Sequence, residues 1–270
     1  MPAVQPDTYT PVPLLQDKVI LISGVGPGLG HALATEAARM GATLILASRT
    51  EQRLRTIATE LETLGAKTAV IPTDITDEPQ RAALAEQALA AFGRIDCLIN
   101  NAFAIPPMNP ITQIELDALR TVNETNVFAP LRLTALFADA LQATRGSVIM
   151  LNSCVSYSSQ PEFSGYKLSK GTLAHLASSL ATELGPCGIR VNSVAPSYVY
   201  EDINKAYFDW LATQAGVDHA EIYRQKAEPT DLKRLAGPEE VARATLFLAS
   251  DLASAITGQM LTVDCGEFHR

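Results

Sequence analysis

Between residues 18 and 264 the chain repeats one pattern, a short apolar run followed by a longer segment of helical period. The runs fall at 19–23, 43–48, 68–72, 97–100, 147–152, 190–194 and 260–264. Short, nearly continuous apolar runs suit strands buried on both faces, which is the environment of a parallel sheet covered by helices on each side. Helices are expected at 29–40, 50–64, 78–92, 127–141 and 166–184, each long enough for a right-handed crossover. Gly237-Pro238-Glu239-Glu240 opens another, with Pro at the first helical position and acids in the first turn. The pattern predicts an α/β fold, a doubly wound sheet of seven strands in three layers.

A chain of 270 residues can bury such a core without disulfides or metal. The expected organisation is a Pro-rich arm over 1–17 and a single domain over 18–270, with an insertion at 197–236 between the last two strands. A net charge of −8 with no basic run argues against nucleic acid as a partner. No apolar stretch reaches the roughly 20 residues of a membrane span, and residues 1–17 lack the basic start and apolar run of a secretion signal. A cytoplasmic protein is expected, away from membranes. Cys97, Cys154, Cys187 and Cys265 lack the paired spacing of a zinc or dithiol site, so they read as reduced core thiols and no metal is expected.

The first run leads into Ser23-Gly24-Val25-Gly26-Pro27-Gly28-Leu29-Gly30 and then a helix. Glycines at 24, 28 and 30 permit a tight turn and close approach of a pyrophosphate, while the helix beginning at Leu29 supplies N–H donors and a positive dipole end. An acidic residue closing the second strand would accept from both ribose hydroxyls; here stand Ser48 and Arg49, a hydroxyl and a planar donor fork that suit a 2′-phosphate. NADP(H) is favoured, NAD(H) being the alternative if Arg49 only solvates a loop beside Glu51. Asp74 is a candidate acceptor for the adenine amino group, or a turn residue in Thr73-Asp74-Ile75-Thr76.

Tyr166 and Lys170 are four apart in a helical segment and share a face. By itself that spacing is weak evidence. Ser153 ends the fifth strand, Asn123 lies in Val122-Asn123-Glu124-Thr125-Asn126, and Asn100-Asn101-Ala102 follows the fourth strand. These motifs, in this order, resemble the short-chain dehydrogenase/reductase family, in the branch carrying Tyr-x-x-x-Lys, and the end pattern Ile256-Thr257-Gly258-Gln259 with Val263-Asp264 is similar too. The resemblance covers residues 18–264. It implies a Rossmann-like sheet of order 3-2-1-4-5-6-7, with Ser153, Tyr166 and Lys170 as the catalytic set and Asn123 joining through a water relay. It further implies that Asn101, Ala102, Asp74 and Ile75 bind cofactor and that Pro196 and Val199 line the nicotinamide. In physical terms, a carbonyl taking hydride builds negative charge on oxygen, and Tyr166 is placed to quench it with a proton. The Lys170 cation is expected to favour phenolate for the reverse reaction and to hold the nicotinamide ribose, while the Ser153 hydroxyl orients the substrate oxygen.

The sequence departs from the family at several points. Phe103 stands where Gly is usual and is expected to narrow the pocket; Ser197 replaces Gly after Ala195-Pro196; Asn126 and Cys265 also replace Gly; Ser23 replaces Thr. The insertion carries Tyr198, Tyr200, Tyr207, Tyr223 and the sole Trp210, which suit an apolar lid or a second subunit equally. The expected activity is interconversion of a secondary alcohol and a ketone with NADP(H), on a small-molecule substrate of bulky apolar character. A homotetramer or homodimer built on the 127–141 and 166–184 helices is expected from the resemblance. The rivals are a nucleotide-binding sensor without turnover, and a family member using the same residues for dehydration or epimerisation.

Overall fold

Val19–Ser23 (β1) alternates its side chains between two apolar layers, and the sheet extends from it on both sides. In the computed structural model, which describes residues 10–269, the remaining strands are Thr43–Ser48 (β2), Thr68–Pro72 (β3), Cys97–Asn100 (β4), Ser147–Leu151 (β5), Arg190–Pro196 (β6) and Met260–Val263 (β7). All pair in parallel, in the order β3-β2-β1-β4-β5-β6-β7. Ile20 and Ile22 of β1 face a core shared with Leu44, Leu46 and Leu33, whereas Leu21 faces the opposite one with Ile45, Leu98 and Leu133. This period of two across a sheet buried on both sides is why the strands read as continuous apolar runs.

The helices are Leu29–Arg39 (α1), Glu51–Thr63 (α2), Glu78–Phe92 (α3), Leu116–Asn123 (α4), Ala129–Leu136 (α5), Ala138–Thr144 (α6), Ser164–Leu184 (α7), Asp202–Ala215 (α8), His219–Ala227 (α9) and Pro238–Ala249 (α10). The single helix expected over 127–141 is not one helix. A π-helical turn, Glu124–Phe128, joins α4 to α5, and the chain breaks again at the fully buried Phe137 before α6. Apolar period continues through both breaks, so periodicity alone could not see them.

Register places Ser23 beside Ala47 and Asn100, and Leu151 beside Val194. The carboxyl ends of β1, β2, β4, β5 and β6 therefore share one rim. Because β2 and β4 leave β1 on opposite sides, a crevice opens at that rim between β1 and β4, where ligands of doubly wound sheets sit. Of the N-terminal arm, residues 1–9 lie outside the described residues; Leu15 is fully buried, its amide donating to the Met40 carbonyl at 3.0 Å. Only Cys97 and Cys154 are core thiols. Cys187 is exposed on the turn after α7 and Cys265 is half-buried, which corrects the expectation for those two. No described helix is long and apolar enough to cross a membrane.

Candidate active site

A cleft of about 810 Å³ runs along the rim. Its first end is the glycine turn. Gly24 has φ +86°, and a Cβ there would lie 2.5 Å from the Ala102 main chain. That closeness lets Asn101 donate its side-chain amide to the Gly24 carbonyl at 2.8 Å, while the Asn101 and Ala102 amides both donate to Ser23 at 3.1 and 3.0 Å. Gly30 packs on the same carbonyl. The crevice wall is thus stitched from β1 and β4 together. At the start of α1 the Leu29 amide donates to a carboxylate, Glu201 Oε2, at 2.6 Å.

Beyond the turn, Ser48, Arg49, Asp74 and Ile75 line the cleft as anticipated. The Ser48 hydroxyl is buried with no hydrogen-bond partner among the described residues. Arg53, in the first turn of α2, also lines the cleft and approaches Gly26; the sequence reading passed over it, although its spacing of four from Arg49 was available as a signal. Asp74 is a turn residue first. Its Oδ1 accepts from the Thr76 amide at 2.9 Å and the Thr76 hydroxyl at 2.7 Å, and those bonds hold its pKa below the usual carboxylate value. A closely approachable glycine backbone, a helix start that attracts an anionic oxygen, an orphaned hydroxyl and two guanidinium groups fit a dinucleotide. Among the described residues no cluster of three His, Cys, Asp or Glu could hold a metal ion.

The other end is built on β5 and α7. Just past β5, Ser153 caps a short turn, its hydroxyl accepting from the Val155 amide at 3.2 Å. The strand itself ends at Leu151, two residues before Ser153, one residue short of the run expected over 147–152. The Leu151 carbonyl accepts from Lys170 Nζ at 2.7 Å, so the same strand fixes both groups. Tyr166 lies one turn before Lys170 on α7, with Nζ 5.8 Å from its ring centroid. The Ser153 hydroxyl bonds the Tyr166 phenol. The expected cationic acidification does not dominate in this arrangement. Burial pushes the Tyr166 phenol above its ordinary value, the Ser153 bond opposing it, and burial pulls Lys170 down to about 7. Desolvation drives both groups toward their neutral forms, because neither has an opposite charge to offset it.

Asn123 is not in the cleft lining. It ends α4, and its side chain donates back to the Leu119 carbonyl at 2.7 Å. Its neighbour Asn126 carries more of the site's geometry. Fully buried, Asn126 accepts from the Ala104 amide at 2.8 Å and donates to the Ala104 carbonyl at 2.9 Å and to the Ser169 hydroxyl at 3.0 Å. It ties the loop after β4 to α7, and that loop carries Phe103, whose ring lies 5.8 Å from Lys170 Nζ. Two departures from the family, at 103 and 126, are therefore one device.

Pro196 and Val199 line the cleft where anticipated, Val199 bridging to Ala236. Most of the insertion's aromatics pack on one another. Tyr198, Tyr200, Tyr207 and Tyr223 pack around Phe208, Ala212, Ile222 and Leu235 as a small core of the insertion itself. Tyr198 and Tyr207 also face the cleft, and Trp210 stacks on Tyr207 at 5.9 Å, half exposed. The C-terminal residues Glu267 and Phe268 reach the cleft too, Glu267 accepting from the Ser197 hydroxyl. Nothing in the sequence pattern marked them.

A family model described as enoyl-(acyl carrier protein) reductase matches residues 24–267. The chain is 32% identical to the 7alpha-hydroxysteroid dehydrogenase of Escherichia coli (strain K12), over 93% of this chain and 94% of that protein. It is equally similar, 32%, to the cyclopentanol dehydrogenase of Comamonas testosteroni, over 93% and 97%. Among solved structures, L-sorbose reductase from Gluconobacter frateurii complexed with NADPH and L-sorbose superposes with a TM-score of 0.88 at 28% identity, covering 95% of this chain and 98% of that one. A 7 alpha-hydroxysteroid dehydrogenase complexed with NADH and 7-oxo glycochenodeoxycholic acid superposes with 0.83 at 30% identity, over 93% and 94%.

Proposed function

Because the chain belongs to the short-chain dehydrogenase/reductase family, we propose that it interconverts a secondary alcohol and its ketone with NADP(H). The observation carrying this reading is that one cleft joins the glycine turn to the Ser153–Tyr166–Lys170 set. The nicotinamide, when bound, supplies or accepts the hydride. Tyr166 holds the proton for the carbonyl oxygen. Its phenol is kept neutral by burial, which is the form that donates, and the bond from Ser153 is the group that moderates it. Ser153 orients the substrate oxygen and stabilises charge growing on it. Lys170, anchored on the Leu151 carbonyl, would hold the nicotinamide ribose and adds positive charge beside Tyr166 whenever it is protonated. Asn123 contributes through its main chain if it feeds a water relay, since its side chain is committed to Leu119.

Ser48, Arg49 and Arg53 support the phosphorylated cofactor, each offering donors at the end of β2 or the start of α2. One solved neighbour holds NADH and the other NADPH, so the choice rests on these residues. Phe103, Ile105, Met108, Phe163, Tyr207 and Phe268 give the substrate end an apolar lining. That lining favours a bulky, cyclic secondary alcohol, in line with the hydroxysteroid and cyclopentanol relatives more than with the sugar reductase. The thiols, all free, suit a reducing cytoplasmic setting. The test is turnover of cyclic and linear ketones with NADPH and NADH separately, followed by nicotinamide absorbance. NADPH-preferring reduction of cyclic ketones is expected, with Arg49→Ala weakening NADPH far more than NADH. Equal losses for the two nucleotides would remove Arg49 from the phosphate.

A further inference from the structure

We propose that Glu201 is a built-in competitor for the cofactor's pyrophosphate, so that nucleotide binding must displace its carboxylate from the start of α1. The inference rests on the nucleotide reading above and adds a residue that sets the affinity of that site. α1 begins without help from its own neighbours: its N-cap is Gly28, with φ 77° and ψ −132°, no side chain caps it, and its first turn has no acidic residue. The free amides of a helix start, together with its dipole, attract an anion. The anion here comes from 172 residues away, as Glu201 Oε2 on the Leu29 amide at 2.6 Å. Gly28 leaves the room, since a Cβ there would run into the Glu201 carboxylate. Glu201 therefore sits over Gly28 and Leu29, the pair that a pyrophosphate needs.

A carboxylate and a phosphate cannot share one N–H donor, and their charges repel at that separation. The carboxylate is also poorly settled. Burial raises its pKa above the usual value, as do Asp202 and Glu239, against the lowering effects of the Leu29 amide and Lys205. Glu201 is also the N-cap residue of α8, but no side-chain bond caps that helix, and its amide donates to the Val199 carbonyl at 2.8 Å, so the carboxylate can leave α1 while the main chain stays in place. Asn204 holds the same carbonyl at 2.8 Å. Ile203, Asn204 and Tyr207, which follow on α8, line the substrate end of the cleft.

The experiment compares wild type, Glu201→Gln and Glu201→Ala by calorimetric titration with NADPH, NADH and ADP-ribose. ADP-ribose carries the pyrophosphate without the nicotinamide, which localises the effect. All nucleotides that bind wild type should bind Glu201→Ala more tightly, by about tenfold or more, the range expected when a charged hydrogen bond no longer has to be broken. Glu201→Gln should gain less, its neutral oxygen still reaching Leu29. The free Ala variant should also melt at a lower temperature, having lost its cap on α1. Unchanged or weaker ADP-ribose binding in both variants would overturn the proposal, as would a gain confined to the complete dinucleotides. Which of NADPH and NADH binds wild type more tightly tests the Arg49 reading separately. Binding of none of the three to any of the proteins would sink the nucleotide reading and this inference with it.

Discussion

Lys170 is only 3% exposed, yet it carries an ammonium whose observed hydrogen-bond acceptor is a backbone carbonyl. Such a group is retained at a cost to the fold. Its ordinary value is 10.5 and burial lowers it to about 7, so unfolding takes up a proton between those values and stability rises with pH across that window. Lys170→Met should therefore stabilise the protein at pH 6, by on the order of 2–4 kcal/mol, and the gain should shrink as pH approaches 10.5; urea unfolding at pH 6 and pH 9.5 measures both. A gain that does not depend on pH would remove burial of the charge as its cause. Turnover should be lost at either pH. At this scale the sequence made the catalytic types and spacing legible, because a Tyr and a Lys four apart on a helix must share a face. It could not reveal that desolvation outweighs the cation at Tyr166, nor that Asn123 turns back to Leu119 while Asn126 grips Ala104, since those outcomes depend on what surrounds each group.

The insertion between β6 and α10 behaves as an element with its own interior. Phe208 is fully buried and contacts Tyr198, Tyr200 and Tyr207 edge-on or tilted, with ring centroids 5.7 to 6.5 Å apart. Phe208→Ala should remove about 3–5 kcal/mol of packing. Because that cluster is separate from the two layers flanking the sheet, the loss should appear as local opening. Hydrogen exchange is expected to speed up over 198–227 while the sheet amides stay protected, and KM for the carbonyl should rise more than KM for the nucleotide. Uniformly faster exchange throughout the chain would show instead that the insertion folds as one with the sheet. The strands were legible almost residue by residue, since a strand buried on both faces is written as an apolar run with polar or glycine ends. The segment from 116 to 144 was not. Its apolar period runs unbroken across a π-helical turn and the break at Phe137, and the helix over 116–123 was overlooked.

For the molecule as a whole, Leu116, Phe128 and Leu168 expose about half or more of their surface, at 65%, 50% and 48%. Phe128 and Leu168 lie within the 127–141 and 166–184 segments from which a homodimer or homotetramer is expected, and large exposed apolar groups mark such contacts. Phe128→Glu combined with Leu168→Glu should give a monomer in sedimentation, whereas the unaltered chain should sediment as two or four copies; a monomeric wild type would contradict the expectation. The doubly wound architecture was legible from the alternation of runs and helices alone, and the strand order from the family resemblance. The contribution of the C-terminal Glu267 and Phe268 to the cleft was not, because only folding brings β7 and its tail beside β6. The central claim is that the two ends of this cleft act on one reaction, the glycine turn holding a nicotinamide nucleotide and Tyr166 delivering the proton. The most direct measurement is single-turnover oxidation of bound NADPH by a cyclic ketone in wild type and Tyr166→Phe, with nucleotide affinity determined alongside. The account predicts a rate lower by about 10²–10⁴-fold with nucleotide affinity unchanged; equal rates in the two proteins would contradict it.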